Sequence, residues 1–239
     1  GNLGATRSQA YVLDTAADNK TVTATGIVLS ADSGISTTDR ITNVASQTFT
    51  GNLSGNVLAG DKVQFSLDGG TTWGTAITST NKTSFSFTGA LANGDNTIKV
   101  RHLDAAGNAS AEYSTVVKLD TGAPTTGTIL VPNATGGSYK LGDIVDVTVQ
   151  FSEAVLVTGT PQLSLQVGAN ARLATYQSGS NSNTLTFRYT IAAGDTDTDG
   201  ISINANALNL NRGTISDSAG NAAVITNGAV GANINTKVD

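Results

Sequence analysis

A five-residue turn occurs twice with one substitution. Asp104-Ala-Ala-Gly107-Asn108 leads through Tyr113–Leu119 to Asp120, and Asp217-Ser-Ala-Gly220-Asn221 leads through a short β-like segment to Lys237-Val-Asp239. A partial third copy opens the chain, where Gly1-Asn2 reaches Asp14 in the same number of steps as Gly107-Asn108 takes to reach Asp120. A turn, a strand and an aspartate that recur at domain-length intervals imply an array of modules, each with its own core. The 239 residues then divide into the last strand of a preceding module (1–13), a first module (14–119) and a second module (120–239). The chain reads as an excerpt from a longer array. Modules of roughly 100–120 residues can each bury a single core.

Within the modules the apolar residues follow a period of two. Lys62-Val-Gln-Phe-Ser-Leu67, Ser84-Phe-Ser-Phe-Thr88 and Thr97-Ile-Lys-Val-Arg-His-Leu103 alternate in the first half. Ile144 to Phe151, Gln162 to Val167 and Thr184 to Ile191 do so in the second. Each run is bounded by Gly, Asn, Asp or Ser, the residues that accept left-handed or capped turn geometry. No sustained helical period is present. Short strands at 8–12-residue spacing predict an all-β chain, read as two tandem immunoglobulin-like β-sandwich domains arranged end to end.

The acidic residues fall in the turns between these strands. In a seven-stranded sandwich the loops alternate between two poles. Asp32, Asp39 and Asp95 then lie at the pole where the chain leaves the first module, next to Asp120. Glu153, Asp217 and Asn221 lie at the pole where it enters the second, again next to Asp120. By the same logic Asp104 and Asn108 face Asp14, and Asp195, Asp197 and Asp199 face Asp239. Carboxylates gathered this closely repel unless a cation is present. Ca²⁺ suits them, because it takes 6–8 oxygens from carboxylates, amides and carbonyls. With no Cys and one His, softer metals are poorly served. The run Asp195-Thr-Asp197-Thr-Asp199-Gly200 resembles the start of an EF-hand loop, but the twelfth position is Asn206 and no flanking helices are predicted. The alternative reading is that these are tight turns, rich in Asp, Asn and Gly for conformational reasons alone.

Several of these motifs together resemble the bacterial Ig-like repeats of giant RTX-type adhesins, surface proteins exported by type I secretion. The first module carries Asp32-Ser-Gly-Ile-Ser-Thr-Thr-Asp-Arg-Ile-Thr-Asn43, the Asp104 turn and Lys118-Leu-Asp-Thr-Gly-Ala-Pro124. The second carries Gly142 to Leu165, Ala193 to Ile201 and the Asp217 turn, similar to another Ig-like repeat of the same proteins. The resemblance covers nearly all of residues 11–239. It implies Ca²⁺ within and between modules, with Asp14, Asp32, Asp39, Asp104, Asp120, Asp217 and Asp239 at the acidic positions such repeats use. It also implies a structural extender of a large cell-surface adhesin, supporting cell adhesion and biofilm formation, extracellular and on the bacterial cell surface. The partners it implies are neighbouring Ig-like modules of the same chain. Two departures stand out: the hinge reads Asp-Thr-Gly-Ala-Pro where the usual repeat has Asp-Thr-Thr-Ala-Pro, and the junction after Asp14 lacks proline.

Other functions fit less well. A net charge of -5 argues against nucleic acid, whose phosphates call for clustered cations. The sequence holds no apolar run near the roughly 20 residues of a spanning helix, so no membrane insertion is expected in this segment. A nucleophilic triad needs a base, and the single histidine, His102, reads as a partly exposed strand residue. Aromatic residues make up only 5% of the chain, which weakens a glycosidase or sugar-binding reading. The chain is therefore not expected to be an enzyme. A glycan- or peptide-binding module, with a site near Trp73, Tyr176 or Tyr189, remains the alternative, although Trp73 fits better as a residue packed in the core or on a strand edge. Exposed strand edges would also allow weak self-association.

Overall fold

The computed structural model describes residues 13–16, 20–23 and 26–239. Of the strand expected over 1–13, only Leu13 falls among them. The described residues form β-strands and a single 3-10 turn, Ile234–Thr236, without an α-helix. Contacts divide the chain into two units. Unit 1 is the part up to Ala31 together with Val44–Leu119, and unit 2 is Asp120–Asp239 together with the segment Asp32–Asn43.

Unit 1 holds β1 (Val28–Leu29), β3 (Ser46–Asn52), β4 (Lys62–Ser66), β5 (Gly74–Thr75), β6 (Ile77–Thr78), β7 (Ser84–Ala90), β8 (Gly94–Leu103) and β9 (Tyr113–Leu119), while β2 (Ile41–Thr42) lies in the segment assigned to unit 2. One sheet runs β1-β3-β7-β6, and the order β9-β8-β4-β5 runs across the other. The alternation seen in the sequence sends Phe49, Phe85, Phe87, Val63, Ile98, Val100 and Val117 into one core. Phe87 is its hub. Its ring stacks on Phe65 at 4.1 Å and on Phe49 at 4.8 Å between centroids.

Unit 2 holds β10 (Thr126–Leu130), β11 (Ser138–Tyr139), β12 (Ile144–Thr158), β13 (Gln162–Val167), β14 (Asn170–Ser178), β15 (Ser182–Thr190), β16 (Leu208–Asn209), β17 (Thr214–Ser216) and β18 (Lys237–Val238). The main sheet follows β10-β12-β15-β14-β13-β16. Its inward residues, among them Val145, Val147, Val149, Leu163, Leu165, Leu185 and Phe187, have no exposed surface.

β12 departs from expectation in a way that matters for function. The alternation in the sequence runs only from Ile144 to Phe151. The strand itself runs on to Thr158. Its pairing with β15 breaks after Gln150↔Thr184 and resumes at Val155↔Ser182, and its last three residues pair with β17. The excess residues form a bulge, a device that bends a strand and redirects side chains. Glu153 sits inside it.

Phe87→Ala should cost about 3–5 kcal/mol of unit 1 stability in denaturant titration, the usual range for a buried aromatic hub. A loss below about 1 kcal/mol would contradict this reading of the core.

Candidate metal centre

β12 and β17 bring two acids together. β17 pairs antiparallel with the end of β12, with Ser216 opposite Leu156, so Asp217 emerges beside the bulge that holds Glu153. The start of unit 2 is held against the same place. Ser152 N donates to Thr125 O at 2.9 Å, and Val224 N donates to Pro124 O at 2.7 Å. Asn221 completes the arrangement, with Nδ2 donating to Asp217 Oδ2 at 2.7 Å and to Asp120 O at 2.8 Å. Asp217 Oδ1 accepts the Asn221 amide at 2.8 Å.

The outcome is that Asp120, Glu153 and Asp217 each place one carboxylate oxygen within 4.8 Å of the others. Asp217 is buried and the other two are half-buried. Two oxygens bound to one Ca²⁺ at 2.3–2.6 Å can stand up to about 5 Å apart, so the spacing suits a shared cation. Without one, each pair of charges at this distance would repel by ~3 kcal/mol in a protein-like dielectric.

The segment Asp32–Asn43 packs on this arrangement within unit 2. Thr42 O accepts the Asp120 amide at 2.8 Å, and Ser33 Oγ donates to Ala219 O at 2.6 Å. Asp32 Oδ2 accepts the Arg40 amide at 3.2 Å, but its Oδ1 is buried with no partner among the described residues. Burial of this carboxyl, reinforced by the charge of Asp39, raises its pKa above the ordinary carboxylate value despite the Arg40 amide. An orphaned buried carboxylate oxygen is a costly arrangement, and a hard cation would relieve it. Asp39 is exposed and caps its own loop by accepting the Ile41 amide.

Unit 1 repeats the device without the full acid set. Asp104 Oδ1 accepts the Asn108 amide at 2.8 Å, and Asn108 Nδ2 donates to Asp104 Oδ2 at 2.9 Å and to Asp14 O at 3.2 Å. Asp14 and Asp95 are exposed, and no group of three acids forms here among the described residues.

The acidic run of unit 2 is likewise split up. Asp195 is an internal ion-pair partner: Arg172 Nε donates to Oδ1 at 2.7 Å, while the Tyr189 hydroxyl and the Ala192 amide occupy Oδ2. Burial opposes its ionisation, but these donors win and hold its pKa low. Asp197 closes its own turn through the Gly200 amide and accepts the Gly168 amide between β13 and β14. Asp199 is exposed. Asp239 accepts Ser138 Oγ. The backbone of Asp197 does pair with Val238, next to Asp239, yet no three carboxylates converge there among the described residues.

His102 requires a correction. It was expected to be partly exposed, and it is fully buried. The alternation of β8 puts Asn96, Ile98, Val100 and His102 on the inner face, which the period-two pattern could have revealed. Its Nε2 lies 2.9 Å from Asp61 Oδ2, which also accepts from Lys20 Nζ at 2.9 Å and the Leu58 amide at 2.8 Å. The pairing of Asp61 with His102 and Lys20 was invisible in the sequence because 41 residues separate it from each.

The aromatic residues proposed for ligand binding are engaged internally. Arg101 lies 4.0 Å above the Trp73 ring. Tyr176 OH accepts the Ser180 amide, and Tyr189 OH donates to Asp195. An open depression of about 520 Å³ borders Trp73, Phe65, Asp68 and Asn96, but the Asp68 carboxylate is already committed to Ser66, Thr71 and Thr72.

Burial disfavours ionisation of Asp61, but Leu58, Lys20 and His102 outweigh it and bring the pKa down to about 2. Its contribution to unit 1 stability is therefore complete above about 3.8, the ordinary value, and is lost as pH falls through about 2. Asp61→Asn should flatten this acid limb in denaturation at stepped pH. An unchanged limb would remove Asp61 from the account.

Residues 17–121 match the family described as Bacterial Ig-like domain. No curated protein matches the chain. Among solved structures, a crystal structure described as that of a membrane-anchored protein from Corynebacterium diphtheriae aligns over 89% of this chain and 58% of its own, at 13% identity and a TM-score of 0.35. The chain thus spans under two thirds of that structure, and nothing further rests on so distant a likeness. The match, the nearly all-β structure and its sandwich-type sheets agree: this chain has an all-β fold, and its residues 17–121 are similar to bacterial Ig-like domains, modules suggestive of bacterial surface proteins.

Proposed function

We propose that the chain is a structural extender segment of a large bacterial cell-surface adhesin of the RTX type, stiffened by Ca²⁺ and without catalytic activity. The observation that carries this reading is the convergence of Asp120, Glu153 and Asp217 within 4.8 Å. Asp120 is the first residue of unit 2 after β9 ends at Leu119. A cation held by these three side chains would tie that first residue to the β12 bulge and to the Asp217 turn. It would supply positive charge and coordination; the protein's own hydrogen bonds through Asn221 hold the Asp217 carboxylate and the Asp120 backbone. Asp32, with its orphaned oxygen, is a further candidate for a cation in the same unit. Such a segment would act in the extracellular space as a spacer that supports adhesion and biofilm formation, and millimolar affinity would suffice there.

Ca²⁺ at 100 times its dissociation constant should add about 2.7 kcal/mol of stability to unit 2, and scattering curves should indicate a narrower range of shapes than in chelator. Glu153→Gln, which keeps size and removes charge, should weaken calcium binding at least tenfold by titration calorimetry while leaving the fold intact. No calcium heat in the unmodified chain would reject the reading.

Asp32→Asn is expected to act oppositely in chelator. A raised native pKa means that the Asp32 carboxyl contributes stability below about 3.8, lost as pH rises through its elevated native value. The substitution should therefore stabilise unit 2 at pH 7 in chelator and reduce the gain from Ca²⁺. Equal pH profiles for the two proteins would rule this out.

A further inference from the structure

The two repeated turns differ in one respect: one is covered and the other is open. In unit 2, Ala219 has no exposed surface. Ser33 Oγ donates to its carbonyl at 2.6 Å. Gly34, at φ +91°, lies so close that a Cβ there would stand 2.1 Å from Ser218 O, and a Cβ on Gly220 would stand 2.9 Å from Gly34 N. Only glycine backbone permits this approach.

The Asp104–Asn108 turn of unit 1 has the same internal hydrogen bonds. Asp104 N donates to Asn108 O at 3.1 Å, as Asp217 N does to Asn221 O at 3.1 Å. Its asparagine makes the same link to a junction aspartate carbonyl, Asp14 O. Yet Ala105, Ala106 and Gly107 are all exposed, and a Cβ on Gly107 would meet nothing within 4 Å among the described residues.

We infer that the Asp104–Asn108 turn is a docking seat for a second Asp-Ser-Gly segment of the Asp32–Asn43 kind, carried by another copy of the same type of module. The chemistry of recognition is that seen in unit 2. A serine hydroxyl donates to the carbonyl of the turn's second alanine, here Ala106. A glycine with no side chain lies against the carbonyl that precedes it, here that of Ala105. The seat therefore selects a segment with glycine at the position of Gly34. These contacts involve backbone and hydroxyl groups, so docking is separable from cation binding at the acid group.

The chain contains no cysteine, so a single introduced thiol reports on one place. In the chain as it stands, Ala106→Cys should react with a thiol reagent at least tenfold faster than Ala219→Cys. Gly34→Val should unseat the segment and speed labelling of Ala219→Cys while leaving Ala106→Cys unchanged. In a chain extended by a further copy of residues 14–119 placed ahead of Asp14, labelling of the original Ala106→Cys should slow at least tenfold, in Ca²⁺ and in chelator alike. Valine at the added copy's equivalent of Gly34 should restore the fast rate. Two results would overturn the inference: a folded extended chain whose Ala106→Cys labels as fast as before, or slow labelling that survives the valine. The Gly34→Val experiment in the unextended chain tests the premise whether or not the added copy folds, and continued slow labelling of Ala219→Cys there would also overturn it.

Discussion

An asparagine side chain that donates two hydrogen bonds is the constraint on which both units depend. Asn221 Nδ2 bridges the Asp217 carboxylate and the Asp120 carbonyl, and Asn108 Nδ2 bridges the Asp104 carboxylate and the Asp14 carbonyl. In each pair the bond to the carboxylate is charge-assisted and stronger than a neutral one, while the bond to the junction carbonyl is neutral; both are short-range. Each therefore pins a junction residue, remote in sequence, to the turn that ends a module's strand pair. The turn also needs glycine at its fourth position, since Gly107 and Gly220 adopt φ of +93° and +90°, where a side chain is strained. The recurring pentapeptide thus encodes a clamp as well as a reversal of direction.

The clamp determines where charge accumulates. In unit 2 it sets Asp120 beside Asp217, and the β12 bulge adds Glu153. Like charges on three carboxylates with oxygens within 4.8 Å of one another repel. Unit 1 has the same clamp, but no third carboxylate joins it among the described residues. Three other acids are paired internally: Asp195 with Arg172, Asp61 with Lys20 and Asp146 with Arg188. The contrast separates acids paired with the chain's own cations from acids gathered with one another.

Much of the architecture was legible because alternation reports burial directly. Val63 and Phe65, Phe85 and Phe87, and Leu163 and Leu165 were read as strand residues from period two alone, and the sheets contain them. What the pattern could not show was non-local. Ser152-Glu153-Ala154 breaks the alternation, so β12 read as ending where it bulges and moves on to β17. Asp195 read as a candidate cation ligand facing Asp239 because its partner Arg172 lies 23 residues away. Loop alternation had set Asp32 and Asp39 next to Asp120, but not the backbone contacts that group Asp32–Asn43 with Asp120–Asp239. The acid group itself was anticipated, since loop alternation in a sandwich already placed Asp120, Glu153 and Asp217 at one pole.

Crystals grown in Ca²⁺ would test for a cation at that pole. The account predicts a density peak with oxygen contacts of 2.3–2.6 Å to the side chains of Asp120, Glu153 and Asp217. A well-ordered site in which these three carboxylates turn apart, with no peak between them, would contradict it.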